Sequence, residues 1–506
     1  MRPELHEPHT HRLLAALEHF LRTPLDAALA RHREVDPAEQ ALALFHDVAA
    51  SVPAYRSLLA EHGLDPALVR SPADFAALPA LTKQSYVLRH PLAALCRTGQ
   101  LDACDMIAVS SGSTGRPTFW PRSLTDELPI ARRFEQVFHD SFQADRRRTL
   151  AVVCFALGTW VGGMYTAASC RHVAARGYPI TVLTPGNNKD EIFRVVLELG
   201  PTFDQVVLLG YPPFLKDVID AGRARGIDWT PLHIKLVFAG EVFSEEWRTL
   251  VLERVGSTDP CHDSASLYGT ADAGVLGNET PLSVAIRRFL ARRPDAARAL
   301  FGQDRLPTLV QYDPSSRYFE AQDGMLLFSG DSGVPLVRYA ILDSGGVHTY
   351  GAMLAALAPF GFDPRADLAG SRGVRELPFV HVFGRSDFTV SYFGANIYPE
   401  NVTVGLEQPG IKEWVTGKFV LEVREDDDRD AHLSVIVELS PGEPATDARR
   451  AAVAASIEAE LLRLNSEFKS YVPPERRAPR VALAPASDPG YFPPGVKHRY
   501  TRKPAT

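Results

Sequence analysis

What this 506-residue sequence lacks narrows it first. It has no basic surplus: 54 lysines and arginines face 61 aspartates and glutamates, a net charge of −7. A nucleic acid held by its phosphates therefore loses ground as a partner. Cysteine is scarce, with five in all (Cys96, Cys104, Cys154, Cys170, Cys261), an odd set without a Cys-x-x-Cys pair. Neither a disulfide framework nor a zinc ribbon fits; scattered reduced thiols in a cytoplasmic protein do, and no structural zinc is expected. The opening residues, MRPELHEPHTHRLLAALEHFL, lack the apolar run of a secretory signal. One charge-free stretch, Leu150 to Cys170, is long enough to cross a bilayer. Its central glycines, the small polar residues after them and the absence of a second span favour another reading: a buried strand over Ala151–Phe155, a Gly-Thr-Trp turn and a helix.

What is present is ordinary for a globular enzyme, 45% hydrophobic and 23% charged, and the length suggests about three domains' worth of chain. Residues 1–100 read as helical and punctuated by proline, with AEQALALFHDVAASV at helical spacing and Pro53, Pro66, Pro72 and Pro79 cutting short pieces. From Met106 the pattern changes. The runs MIAVSS, LAVVCFA, ITVLTP, FDQVVLLG and IKLVFAG alternate with amphipathic helices, which predicts an α/β core of parallel strands with binding loops at their C-terminal ends. A β-rich piece, MLLFSG through PLVRYAILD, closes this lobe. Beyond GRSDFT, KFVLEVRE and HLSVIVEL pair across an acidic turn, Asp426 to Asp430, and a helix follows with Val453, Ile457, Leu461, Leu464 and Phe468 on one face. The expected architecture is a large α/β N-terminal domain, 1–384, of parallel-sheet layers with helices and a β-rich subdomain. A small, mobile α+β domain follows over 385–506, hinged near Asp387.

The strongest local signal is Val109-Ser110-Ser111-Gly112-Ser113-Thr114-Gly115-Arg116-Pro117, directly after an apolar strand. Glycines and hydroxyls in such a loop turn N–H and O–H donors towards phosphate oxygens. The ending of a P-loop NTPase is missing, and alone the segment reads equally as a Ser/Gly surface turn. Four further segments follow in order: FAGEVFSEEWR (238–248), SLYGTADAG (266–274), PLVRYAILD (335–343) and GRSDFTVSYFGANIYPENV (384–402). GDSGVPLV (330–337) resembles the active-serine segment of trypsin-like proteases, but no histidine segment precedes it and the α/β alternation contradicts that fold.

Together these segments resemble the adenylate-forming superfamily of acyl-CoA synthetases, adenylation domains and luciferases. Thr118, where many members carry a lysine, and VPAYRSLLAEHGLDPALVRSPADFAALPALTK (52–83) are similar to its phenylacetate–CoA ligase branch. The resemblance covers most of the chain and implies ATP and Mg²⁺, with CoA as acceptor. It assigns the phosphates to Ser111, Gly112, Ser113, Thr114 and Gly115, and the adenine side to Gly240 and Glu241. Tyr268, Gly269 and Thr270 lead to Asp272, the acidic ligand for Mg²⁺, one methylene shorter than the usual glutamate. Asp343 takes the ribose hydroxyls, although by itself it also reads as a turn residue. Arg385 reaches the nucleotide phosphates, Asp387 is the pivot, and Lys497 is the lysine that enters the site, with Lys503 as the second choice. A solvated basic tail, or an anchor for CoA phosphates, is the other reading of that segment. Phe155, Gly158, Trp160 and Gly163 fall where the branch lines its acyl pocket. Trp160 and Tyr165 beside glycines suit a flat aromatic acid, and core packing is the alternative for Trp160.

The function implied is ATP-dependent activation of a small, aromatic carboxylic acid as its acyl-AMP, with transfer to CoA. The alternatives are an AMP-forming enzyme that does not use CoA, such as a diazotase of secondary metabolism activating nitrite for an aryl amine, and a nucleotide-binding protein without turnover. Partners are small molecules, with no membrane and no nucleic acid, and a homodimer is left open.

Overall fold

The computed structural model describes residues 7–34, 36–102, 104–110, 118–302, 306–385, 389–492 and 500–501, and leaves out the side chains of 7–10, 385 and 400. An eleven-stranded sheet organises the large lobe. Its parallel half contains β3 (Thr149–Val153), β4 (Ile180–Leu183), β5 (Gln205–Gly210), β6 (Lys235–Ala239) and β7 (Ser264–Thr270), in the order β4-β3-β5-β6-β7. Every residue of β3 and β5 is buried, as continuous apolar strands covered by helices on both faces must be. From β7 the sheet continues antiparallel through β8 (Gly274–Asn278), β9 (Thr308–Gln311), β13 (Phe379–Arg385), β12 (Leu336–His348), β11 (Met325–Gly330) and β10 (Tyr318–Gln322).

MIAVSS departs from its expected place. It forms β1 (Met106–Ser110), which pairs antiparallel with β2 (Thr118–Arg122) in a separate two-stranded sheet. β1 reaches the rest of the lobe through the Val109 N–H, which donates to Thr159 O at 3.0 Å. The charge-free run is β3, a turn and the helix Val161–Ala175, and among the described residues no helix is long and apolar enough to cross a membrane. Asp343 does not start a turn: β12 runs on through the two glycines to His348. In the N-terminal segment Pro37, Pro53, Pro66 and Pro72 open helical turns rather than end them, since the first helical position needs no N–H donor. All five cysteines are free thiols.

The C-terminal lobe has its own sheet, β16 (Val415–Glu425), β17 (Ala431–Leu439) and β18 (Arg480–Ala484), after the short hairpin β14 (Val390–Tyr392) and β15 (Ala395–Ile397). β16 and β17 pair across the acidic turn as the sequence predicts. The following helix, Asp447–Leu464, buries Val453, Ile457 and Leu461. It stops before Phe468, because Asn465 turns extended (φ −117°, ψ 100°) and its side chain caps the next helix, Ser466–Tyr471, by accepting from the Phe468 N–H. Apolar packing is continuous from the parallel half of the main sheet into this lobe.

Candidate active site

A cavity of ≈ 1770 Å³ opens at the C-terminal ends of the parallel strands and extends under the C-terminal lobe. That position, outside the carboxyl ends of the strands, is where open α/β sheets bind ligands. Two tyrosine–carboxylate pairs stand on its wall. Tyr268, at the end of β7, donates from Oη to Asp343 Oδ2 at 2.7 Å, and Asp343 is only 6% exposed. Tyr339 in β12 donates to Asp272 Oδ2 at 2.5 Å, while Arg122 holds the Asp272 carbonyl at 2.7 Å and the Ala271 carbonyl at 2.9 Å. Gly269 is needed for the tight β7–β8 hairpin between them, since a Cβ there would lie 2.6 Å from Gly274 O. Arg385 is the register partner of Asp343 across β12 and β13.

Ser110 and Thr118, register partners in the β1–β2 hairpin, both border the cavity, so both stems of the phosphate-type loop point there. Ser111, Gly112, Ser113, Thr114 and Gly115 lie outside the described residues, as do Asp387, Lys497 and Lys503. Lys83 lies at the same wall. Its Nζ donates to Ser110 Oγ at 3.3 Å and sits 5.9 Å from the Trp120 ring, with its segment lashed to β12 by the Leu81 N–H to Arg338 O bond. The segment 52–83 ends on Lys83, but the sequence reading gave it no role, because its partners Ser110 and Trp120 come from the β1–β2 hairpin.

Gly240 and Glu241 follow β6 and line the cavity where the C-terminal lobe closes over it. Gly240 has φ +88°, and a Cβ there would meet the Tyr211 ring at 3.0 Å. The Glu241 carboxylate accepts from the Gly394 N–H at 2.5 Å. Burial, against the Gly394 hydrogen bond and with help from nearby Glu425, pushes the Glu241 carboxyl up to about 7. Gly394 ends a turn with Phe393 (φ +52°) and Gly394 (φ +81°), and a Cβ at 394 would strike the Tyr211 ring at 2.2 Å. Asn396, on the same hairpin, is fixed by Glu467, which accepts its N–H at 3.0 Å.

Of the acyl-pocket residues read from the sequence, Phe155 borders the cavity and Gly158, Trp160 and Gly163 do not. Trp160 packs its edge on Tyr471 at 4.9 Å, and Gly163 faces the Ala156 carbonyl too closely for any side chain. The neighbouring positions Val161, Gly162, Tyr165 and Thr166 take the wall instead, on the first turns of the helix. Two aromatics the sequence did not single out complete it. Tyr211 meets Phe155 at 4.8 Å and Tyr471 at 5.3 Å.

No family profile matches the chain. A phenylacetate–coenzyme A ligase of Thermus thermophilus is 25% identical over 354 residues, 69% of this chain and 70% of that one. Among solved structures, 2-hydroxyisobutyryl-CoA ligase with 2-HIB-AMP and CoA, in the thioesterification state, matches with a TM-score of 0.65 at 16% identity, over 94% of this chain and 90% of that one. The same ligase in its postadenylation state gives 0.53 at 16% identity, over 92% and 89%. The chain is thus similar to an adenylate-forming ligase in sequence, at 25% identity, and shares the fold of adenylate-forming ligases. The large mixed sheet and the separate β-rich C-terminal region are the architecture of these adenylate-forming ligases.

The two lobes of the chain are joined along one edge by ion pairs. Lys216, 1% exposed, donates to Asp220 at 2.8 Å within its own helix and to Asp430 of the acidic turn. Arg254 bridges Asp220 to Asp428, and Arg476 bridges Asp217 (2.5 Å) to Asp430 (3.0 Å). Asp220, Asp428 and Asp430 stand close enough together to hold a metal ion, but these lysine and arginine groups already balance them.

Proposed function

We propose that the chain is an ATP-dependent, AMP-forming ligase that activates a small aromatic carboxylic acid as its acyl-AMP and passes the acyl group to CoA. The observation that carries this is the meeting of five separate segments on one cavity: the stems of the 111–117 loop, Gly240–Glu241, Tyr268–Asp272, Asp343 and the Gly394 hairpin. The phenylacetate–CoA ligase relative and the CoA-ligase fold support it.

Attack of a carboxylate on the α-phosphate of ATP builds negative charge, so catalysis is mainly positioning and electrostatic stabilisation. Asp343, preset by Tyr268, accepts from the ribose hydroxyls. The hydroxyls and N–H groups of 111–115 take the leaving pyrophosphate, and Lys83 at the loop stem supplies the cation that position 118 lacks. Asp272 is the carboxylate oxygen donor that suits Mg²⁺, which when bound would neutralise phosphate charge; its Oδ2 is oriented by Tyr339. Lys497, with Lys503 second, reaches the site during adenylation, and Arg385 the phosphates. The C-terminal lobe, 385–506, then turns about Asp387 and brings the Gly394 hairpin over the adenylate for the second half-reaction.

A second reading keeps the ATP chemistry and drops CoA. The part of the cavity formed by the C-terminal lobe carries Glu422, Glu425, Asp426, Asp427 and Glu467 against Arg424 and Arg429, a wall that repels a polyphosphate and suits a neutral or cationic acceptor. One experiment separates these readings: pyrophosphate release across a panel of aryl acids, with and without CoA, and with nitrite plus an aryl amine. Acid-dependent release with thioester formed upholds the first reading, and release without any use of CoA upholds the second. No release with any acid or with nitrite would leave a nucleotide-binding protein.

A further inference from the structure

Glu241 follows β6, is half-buried, and lines the cavity where the C-terminal lobe closes on it. One carboxylate oxygen, Oε1, accepts from the Gly394 N–H at 2.5 Å, which fixes the side chain against the hairpin. The other, Oε2, has no hydrogen-bond partner among the described residues and is not sealed in: it keeps accessible surface. No cation among the described residues pairs with it either. The two arginines of the C-terminal lobe that border the cavity are taken elsewhere, Arg424 by Glu422 at 2.7 Å and Arg429 by Glu425 at 3.3 Å. Other acids on the wall are already committed: Asp343 to Tyr268, Asp272 to Tyr339 and Glu467 to Asn396.

A carboxylate with one oxygen pinned and the other open is placed to take up a proton. Burial, against the Gly394 N–H and with help from Glu425 of β16, raises this carboxyl to about 7, so both of its forms are populated near neutrality. A general base works best there, being unprotonated often enough and still basic enough to accept. The other titratable groups that face it are silent in this range. The phenols of Tyr211, just before the helix Pro212–Ala224, and Tyr392, in β14, are both pushed far above neutrality by burial. The position also suits the task. Asp343 and Asp272 stand on the strands of the large lobe, whereas Glu241 touches the hairpin that the C-terminal lobe contributes, so a second substrate entering under that lobe passes its open oxygen.

We propose that Glu241 Oε2 is the general base of the transfer step, taking the N–H or S–H proton of the acceptor nucleophile. As the nitrogen or sulfur bonds to the activated carbon, its proton passes to Oε2. The bond from that carbon to the AMP oxygen breaks, and AMP leaves with the electron pair. This rests on the adenylation reading above and adds the group its second half-reaction lacks. The test supplies the synthetic acyl-adenylate of the acid that gives most pyrophosphate release, so that ATP binding is outside the measurement. Transfer to CoA and to aniline is followed between about pH 6 and pH 8 in the full-length natural chain, Glu241→Gln and Glu241→Asp. Aniline stays unprotonated over this range, so a change in its rate belongs to the protein. In the natural chain, transfer climbs through about pH 7 and then levels. Glu241→Gln is slower by about a hundredfold or more and loses the climb, and Glu241→Asp keeps it at a reduced rate. Lobe docking cannot imitate this, because the same carboxyl favours docking when protonated and the amide keeps that neutral form. Equal melting temperatures verify that the three proteins fold. Transfer by Glu241→Gln within about threefold of the natural chain, or a climb that survives the substitution, overturns the base while leaving adenylation standing. No pyrophosphate release with any acid overturns both.

Discussion

The C-terminal lobe meets the large lobe along two unlike strips. At the centre, Tyr211, Tyr471, Trp160 and Phe155 form an aromatic seam with ring centroids 4.8–5.3 Å apart. At the edge, Lys216, Arg254 and Arg476 grip Asp217, Asp220, Asp428 and Asp430. Apolar contact is non-directional and tolerates small slides. Ion pairs with a buried lysine demand one geometry, because a displaced partner leaves a charge uncompensated. The seam therefore supplies attraction, and the charged edge selects a single docked position. For the lobe movement proposed above this split is useful, since the selective part weakens with salt or acid while the seam does not.

The comparison breaks most sharply at Lys216. Lys216→Met leaves Asp220 and Asp430 without their ammonium and should weaken lobe docking by about 3–5 kcal/mol, the usual consequence of removing one partner of a buried pair. Small-angle scattering should report a wider molecule, and acyl transfer should fall while pyrophosphate exchange persists. An unchanged scattering profile would mean that the seam alone holds the lobes. Next comes Gly394→Ala, in which the new methyl meets the Tyr211 ring at a backbone φ of +81°. Loss of about 2 kcal/mol or more of docking is expected, and Tyr211→Ala in the same chain should restore part of it.

Tyr268→Phe removes the hydrogen bond that presets Asp343 and should raise the KM for ATP about tenfold, from about 1–2 kcal/mol of lost orientation, with little effect on scattering. This sharpens the contrast by touching neither strip. The smallest effect is in pH. The Glu241 carboxyl sits raised at about 7 in the docked state, mainly through burial. A raised carboxyl favours docking while protonated, so its contribution is full below the ordinary carboxyl range and fades as pH rises through about 7. Asp430 runs the other way: burial opposes its charge, but Lys216 and Arg476 more than reverse that and hold it low, so its contribution is lost only in acid. Docking followed by fluorescence transfer between labelled lobes should decline from pH 5 towards pH 8, and Glu241→Gln should flatten that decline.

Much of this was legible in the sequence where local pattern and structure coincide. The buried strands β5 and β6, the β16–β17 hairpin and the stretch from Val453 to Leu461 announce themselves by periodicity. The break before Phe468 was also written locally, in an asparagine three residues ahead of it, but the apolar spacing on either side hid it. β1 looked like its parallel neighbours because a short apolar run does not declare its partner. In the site, Asp343, Asp272 and Glu241 came from ordered motifs. Lys83, Tyr211, Tyr471 and Lys216 did not, since each acquires meaning from partners on other elements, from Ser110 for Lys83 to Asp430 for Lys216. Gly158, Trp160 and Gly163 missed the wall because the turn before the helix aims its neighbours, not them, at the cavity.

The register of β12 against β13 has a mechanical consequence. Asp343 and Arg385 share one rung, and just past Arg385 the chain leaves the main sheet for the C-terminal lobe. On the proposed reading, the residue that takes the sugar is thus laced to the bearing on which the lobe would turn. A nucleotide seated on Asp343, as proposed, would stiffen that bearing and narrow the lobe's arc, acting as ballast for the swing.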